Sequence, residues 1–244
     1  TKDTVKREIQ GGAFLDFASG THTLANGFAV SGAGTAQVTS GTVTVGGTDI
    51  ATFAQFAQSG GTLSGTGTLR ATNLTWTGGQ MVDAGRTEVP ALGTLSLSGT
   101  TKQLNTSRIL ELGGTGTWTA GSIYSGGGAS FSILSGASFA IQADVSFFYN
   151  LGGAIPILTN AGTLTRSTTT GTASIGVQVN NNGTLTVSTG TLTLSSNFTH
   201  ADGALLQGSG IIDLTSATII GGTLPGDIGP GASPGRLTIT DNGP

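Results

Sequence analysis

The sequence contains no cysteine, which excludes disulfides, thiolate nucleophiles and cysteine-ligated zinc together. Charge is scarce as well. Only 9% of the 244 residues are Asp, Glu, Lys or Arg, against roughly 25% in an ordinary soluble domain. The nine cations are scattered and the net charge is −3, so no basic stripe exists to neutralise phosphates, and nucleic acid is excluded as a partner. No apolar run reaches the roughly 18 residues of a membrane-spanning helix, so this segment is not expected to insert into a bilayer. No signal peptide opens the chain. It starts at a bare Thr1 and stops at Asp241-Asn242-Gly243-Pro244, straight after the strand-like Leu237-Thr238-Ile239-Thr240. We therefore expect a piece of a longer polypeptide.

What is abundant is glycine, 43 residues or about 18% of the chain, where roughly 7% is ordinary. Gly and β-branched residues oppose long helices, which excludes a helical bundle. Order has to be argued from periodicity, and a spacing of 21 recurs. Thr159-Asn160-Ala161-Gly162-Thr163-Leu164-Thr165 matches Asn180-Asn181-Asn182-Gly183-Thr184-Leu185-Thr186, and the same step carries Leu185 to Leu206. Upstream, Trp76, Leu97, Trp118 and Phe139 form one series, and Val89, Leu110 and Phe131 a second. A disordered chain has no reason to space its few bulky residues this way.

Within each repeat, apolar and hydroxyl residues alternate, as in Thr42-Val43-Thr44-Val45 and Thr191-Leu192-Thr193-Leu194. Alternation of this kind marks short strands with one face in a core. Gly-Gly, Ser-Gly and Asn-Gly clusters supply corners, because Gly and Asn tolerate positive φ. Ala51–Gln58 fits either one or two helical turns or a strand with a bulge. A six-bladed propeller built on a 42-residue unit competes, but the stronger identity lies at 21. Stacked coils explain it directly, since like residues then lie about 4.8 Å apart in columns. The expected fold is all-β, a right-handed parallel β-helix (β-solenoid) of about 21 residues per coil. About 11 such coils would make a rod roughly 50–55 Å long. Residues 1–10 are expected to be a charged cap or linker, and 11–244 a single solenoid domain.

Repeats such as Gly61-Thr62-Leu63-Ser64-Gly65-Thr66-Gly67-Thr68-Leu69 and Leu74-Thr75-Trp76-Thr77-Gly78-Gly79 resemble those of large secreted bacterial β-helix proteins. Gly229-Pro230-Gly231-Ala232-Ser233-Pro234-Gly235-Arg236-Leu237-Thr238-Ile239 is similar to a signature of autotransporter passengers and filamentous adhesins. The resemblance implies an extracellular or bacterial cell-surface stalk, adhesin or matrix fibre. It transfers no catalytic or binding residue.

Some β-helices cleave polysaccharides, using clustered carboxylates with a basic partner. Here the 12 acidic residues are dispersed, with no Asp-Asp or Asp-x-Asp. Arg86 and Glu88 under Arg108 and Glu111 form the best cluster, which we read as an exposed charge zipper. Neither His22 nor His200 has a ligand-spaced partner, so no catalytic residue, metal or cofactor is assigned. Val145-Ser146-Phe147-Phe148-Tyr149-Asn150 breaks the pattern, because three adjacent aromatics cannot all point inward. Phe147, Phe148 and Tyr149 are the candidate patch for a polysaccharide or other partner, against a bulge or covering loop as the plain alternative. Asn160 and Asn181, one repeat apart, suggest a ladder of turn asparagines, with Asn105 in a comparable turn. Thr-x-Thr pairs, among them Thr75/Thr77, Thr117/Thr119, Thr163/Thr165 and Thr184/Thr186, raise an ice-binding reading. Only the last two of these pairs lie on consecutive coils by sequence spacing. The leading expectation is a non-enzymatic structural solenoid that self-associates end to end or laterally. A polysaccharide-binding or -cleaving module is the alternative, and ice binding comes third.

Overall fold

A computed structural model describes residues 6–219, 227–229 and 238–240. The chain is a β-solenoid of about 10 turns spaced about 21 residues apart, and among the described residues there is no helix and the strand pairs are all parallel. Each coil contributes one strand to each of three faces. Face one runs from Lys6–Glu8 to Thr218–Ile219, face two from Phe14–Phe17 to Asp227–Gly229, and face three from Thr21–Leu24 to Thr238–Thr240. Lys6–Glu8, within the segment expected to cap the rod, pairs in register with Ala29–Ser31 and belongs to the solenoid. Most of the adhesin-like signature at 229–239 lies outside the described residues.

Ala51–Gln58 lies in a nine-residue strand, Ile50–Gln58, that turns the corner from face one to face two. Ala54 and Gln55 both stay out of the core while Phe53 and Phe56 point in. The alternation therefore slips by one residue, and the three-residue spacing of the two phenylalanines looks helical in sequence. The neighbouring strand Thr68–Trp76 follows the same bend, so the first two faces join into one 20-stranded sheet.

The stacking of like on like is present. On face two, Trp76 pairs with Leu97 and Leu97 with Trp118. The next residue in this column is Ile141, not Phe139. The corner that is Gly113-Gly114 in one coil becomes Leu134–Ala137 in the next, and the two extra residues shift the frame. Phe139 joins the adjacent column instead, facing Gly116, where a Cβ would come within 2.6 Å of its ring. Leu110 and Phe131 stack as expected, but Val89 pairs with Leu112 because the corner Ser98–Thr101 is longer than Thr77-Gly78. Leu164, Leu185 and Leu206 stack throughout. At the corners the coils approach closely. At Gly121, with φ +70, a Cβ would lie 2.1 Å from the Thr100 carbonyl oxygen, so both conformation and space demand glycine.

Candidate functional site

The aromatic patch divides on folding. Phe147 is buried and fills an interior column between Ile123 and Ile175, so it cannot meet a ligand. Phe148 and Tyr149 remain exposed, at 40% and 38%. Register is kept through Phe148, so no bulge interrupts the strand. The neighbouring loop instead folds over the coil below, with the Gly127 and Gly128 amides donating to the Gly152 and Ala154 carbonyls. The Tyr149 hydroxyl donates to the Gly153 carbonyl within that loop.

Phe148 meets a partner that sequence reasoning missed. Tyr124 lies one coil below it, and the rings contact edge-on at 5.6 Å. The same outward row of face three continues through Gln103, Gln80 and Thr62, one residue per coil. A shallow cavity of about 480 Å³ opens along this row. Its walls carry amides, hydroxyls and a phenol but no charge. Planar rings and amides on a one-residue-per-coil repeat suit an extended neutral chain lying along the rod. The signal was available in sequence, since Tyr124 and Phe148 are 24 residues apart, but a fixed period of 21 hid it. A second cavity, about 350 Å³, opens in the first coil between Arg7, Asp16 and His22.

The expected charge zipper is corrected in one member. Arg86 pairs with Glu111 at 2.5 Å and Arg70 with Glu88 at 3.0 Å, all partly exposed. Arg108 does not join them, because its side chain points inward and is fully buried. There it donates to the Thr87 hydroxyl at 2.8 Å and to the carbonyls of Gly65 and Arg86 at 3.2 Å. Burial pushes the guanidinium down to about 10, against the opposing pull of Asp83.

Arg108 is one of several inward polar residues, and they share a task. Corner carbonyls that face the interior need donors, since an unpaired buried carbonyl costs about 1–3 kcal/mol. At the corner from face two to face three, Trp76 donates to the Gly78 carbonyl and Trp118 to Gly121, while Gln58 reaches the Gly61 carbonyl at 3.5 Å and Gln80 in the next coil's face-three strand at 2.9 Å. Leu97 and Ile141 occupy the same column and have nothing to donate. Lys102 serves the coil of Leu97, reaching the Thr100 carbonyl at 2.8 Å and Ala120 at 3.2 Å. Arg166 serves the coil of Ile141 through Ala143, and reaches Gly171 and Thr191 as well. Asp144 adds an ion pair to Arg166, and its carboxyl is held below the usual range by the Thr169 hydroxyl first and Arg166 second.

The asparagine ladder exists, but Asn160 and Asn181 end face-one strands rather than sitting in turns, and the ladder runs inside. Asn160 donates to Asn181 at 2.7 Å and to the Thr184 carbonyl, while Asn181 donates to His200 Nδ1. Burial holds the His200 imidazole below its ordinary pKa. Asn105 does not occupy a comparable place: it follows the face-three strand Lys102–Leu104, and its side chain accepts from the Thr106 amide. Among the described residues, no group of three or more His, Asp or Glu is placed to hold a metal ion.

Burial drives the Lys102 ammonium down from 10.5 to about 8, which gives a pH test. The unfolded chain keeps this proton up to pH 10.5, whereas the folded chain releases it above pH 8. Stability is therefore expected to rise as pH climbs from 8 towards 10, by up to about 1.4 kcal/mol per unit. Below pH 8 both states carry the proton and the slope vanishes. Urea midpoints at pH 7.5 and 9.5 should show the rise in the parent chain and its absence in Lys102→Met.

No protein-family model, curated protein or solved structure matches the chain.

Proposed function

We propose that this chain is a stretch of an extracellular, non-enzymatic rod that spaces or displays other parts of a bacterial surface protein. The observation that carries this reading is the continuous stack of parallel coils, in which the buried Lys102 and Arg166 donate to corner carbonyls. Stability in such a stack is a sum over neighbouring coils, which suits a part that bears load along its length. Stretching single molecules from end to end should release chain in steps of one coil, about 70–75 Å of contour each. Release of the whole length in one event would contradict the mechanical role.

A second reading, that the rod also holds a neutral polysaccharide, is favoured by the Tyr124–Phe148 pair and the uncharged groove beside it. Titration with neutral oligosaccharides would support it if binding disappears in both Tyr124→Ala and Phe148→Ala. Binding that survives both changes places any sugar elsewhere.

A further inference from the structure

Register corrects the threonine pairs. Trp76 and Trp118 point inward at the end of their strands, so the pairs to compare with Thr163/Thr165 are the outward residues one step earlier. On face two, the first outward rank runs Thr94, Thr115, Ser138, Thr163, Thr184 on five consecutive coils. The second rank, two residues further along each strand, runs Ser96, Thr117, Ala140, Thr165, Thr186. Nine of these ten positions carry a hydroxyl and none a charge. Serines hid the regularity from a search for Thr-x-Thr.

The array is bounded at its ends and open in its middle. Thr94 donates to Asn73 at one end, and Gln207 donates to Thr186 at the other. Among the described residues, the hydroxyls of Thr115, Thr117, Ser138, Thr163 and Thr165 make no hydrogen bond to protein. Among the described residues the field on face two is the longest. Face three carries Thr21/Thr23, Thr42/Thr44 and Thr62/Ser64 on three coils before Gln80, Gln103 and Tyr124 interrupt it, and Arg70, Glu88 and Glu111 interrupt face one.

Ranks on neighbouring coils stand about 4.8 Å apart, and the two ranks are separated by about 6.6 Å along the strand. This is a two-dimensional lattice of hydroxyls and methyls whose spacings lie close to the oxygen repeats on faces of hexagonal ice. Threonine is stiff at χ1, so the lattice is set before anything binds and little rotamer freedom is lost on contact. An occupant that touches every site must repeat in both directions, and crystalline water does so. We propose that face two binds ice through this threonine–serine field. The inference is independent of the polysaccharide reading, which concerns face three.

The test is thermal hysteresis and inhibition of ice recrystallisation by the purified 244-residue chain. Thr117→Tyr with Thr165→Tyr places bulk at the centre of the field, and Thr159→Tyr on face one serves as a control. Far-UV circular dichroism and melting curves check that each variant folds. Activity in the parent and control with loss in the folded double variant supports the proposal. An inactive parent overturns it, as does equal activity in all three proteins. A parent whose activity tracks a dimer that the double variant abolishes also overturns it, since the field would then join two rods.

Discussion

Replacing Trp76 with alanine is expected to lower the unfolding free energy by about 3–5 kcal/mol. The indole is fully buried, stacked between Gln58 and Leu97, and its Nε1 donates to the Gly78 carbonyl at 2.9 Å. Truncation opens a cavity that rigid neighbouring coils cannot close, and it orphans that carbonyl. Trp76→Phe keeps most of the volume and loses the donor, so its cost should fall to about 1–2 kcal/mol. Urea denaturation followed by the fluorescence of Trp118, the other tryptophan, reads both variants. A cost below about 1 kcal/mol for Trp76→Ala would show that the column does not hold the coils together.

Arg166→Met is expected to be as damaging, again about 3–5 kcal/mol. The guanidinium is wholly buried and donates to three carbonyls on different coils, those of Ala143, Gly171 and Thr191. Methionine fills the space but leaves the Ala143 carbonyl without its donor, takes the side-chain donor from Thr191, and leaves Gly171 only the Thr191 amide. Asp144→Asn should be far milder, since Asp144 is 48% exposed and water can replace much of what it provides. Comparing urea midpoints for the two variants separates the roles. Equal losses would mean that the ion pair, and not the capping of carbonyls, is what matters at this corner.

The sequence made the architecture legible because large side chains are rare in it and stack on their own kind. Trp76, Leu97 and Trp118 could be ordered before any coordinates existed. The same reasoning failed at Phe139 and Val89, since a constant period cannot anticipate corners that gain two residues. Charge misled in a different way. Arg108 was expected on an exposed zipper, yet it is buried, as are Lys102 and Arg166, and each donates to backbone oxygens inside. One signal did point inward. Arg166 stands where Val187 stands one coil later, at the inward phase of Thr163-Leu164-Thr165-Arg166. Half of the aromatic groove was readable in Phe148, while Tyr124 was lost behind the assumed spacing.

The shared corner has a consequence for how such a gene can be rearranged. Some rungs carry their own donor, as with Trp76, Trp118 and Lys102 reaching Thr100, while the rung of Ile141 borrows one from the next coil, with Arg166 reaching Ala143. Recombination that splices between Ala143 and Arg166 parts a lender from its borrower, even when length and hydrophobic phase are preserved. Viable crossovers are therefore confined to junctions where both sides remain self-sufficient, and the rungs are not interchangeable beads.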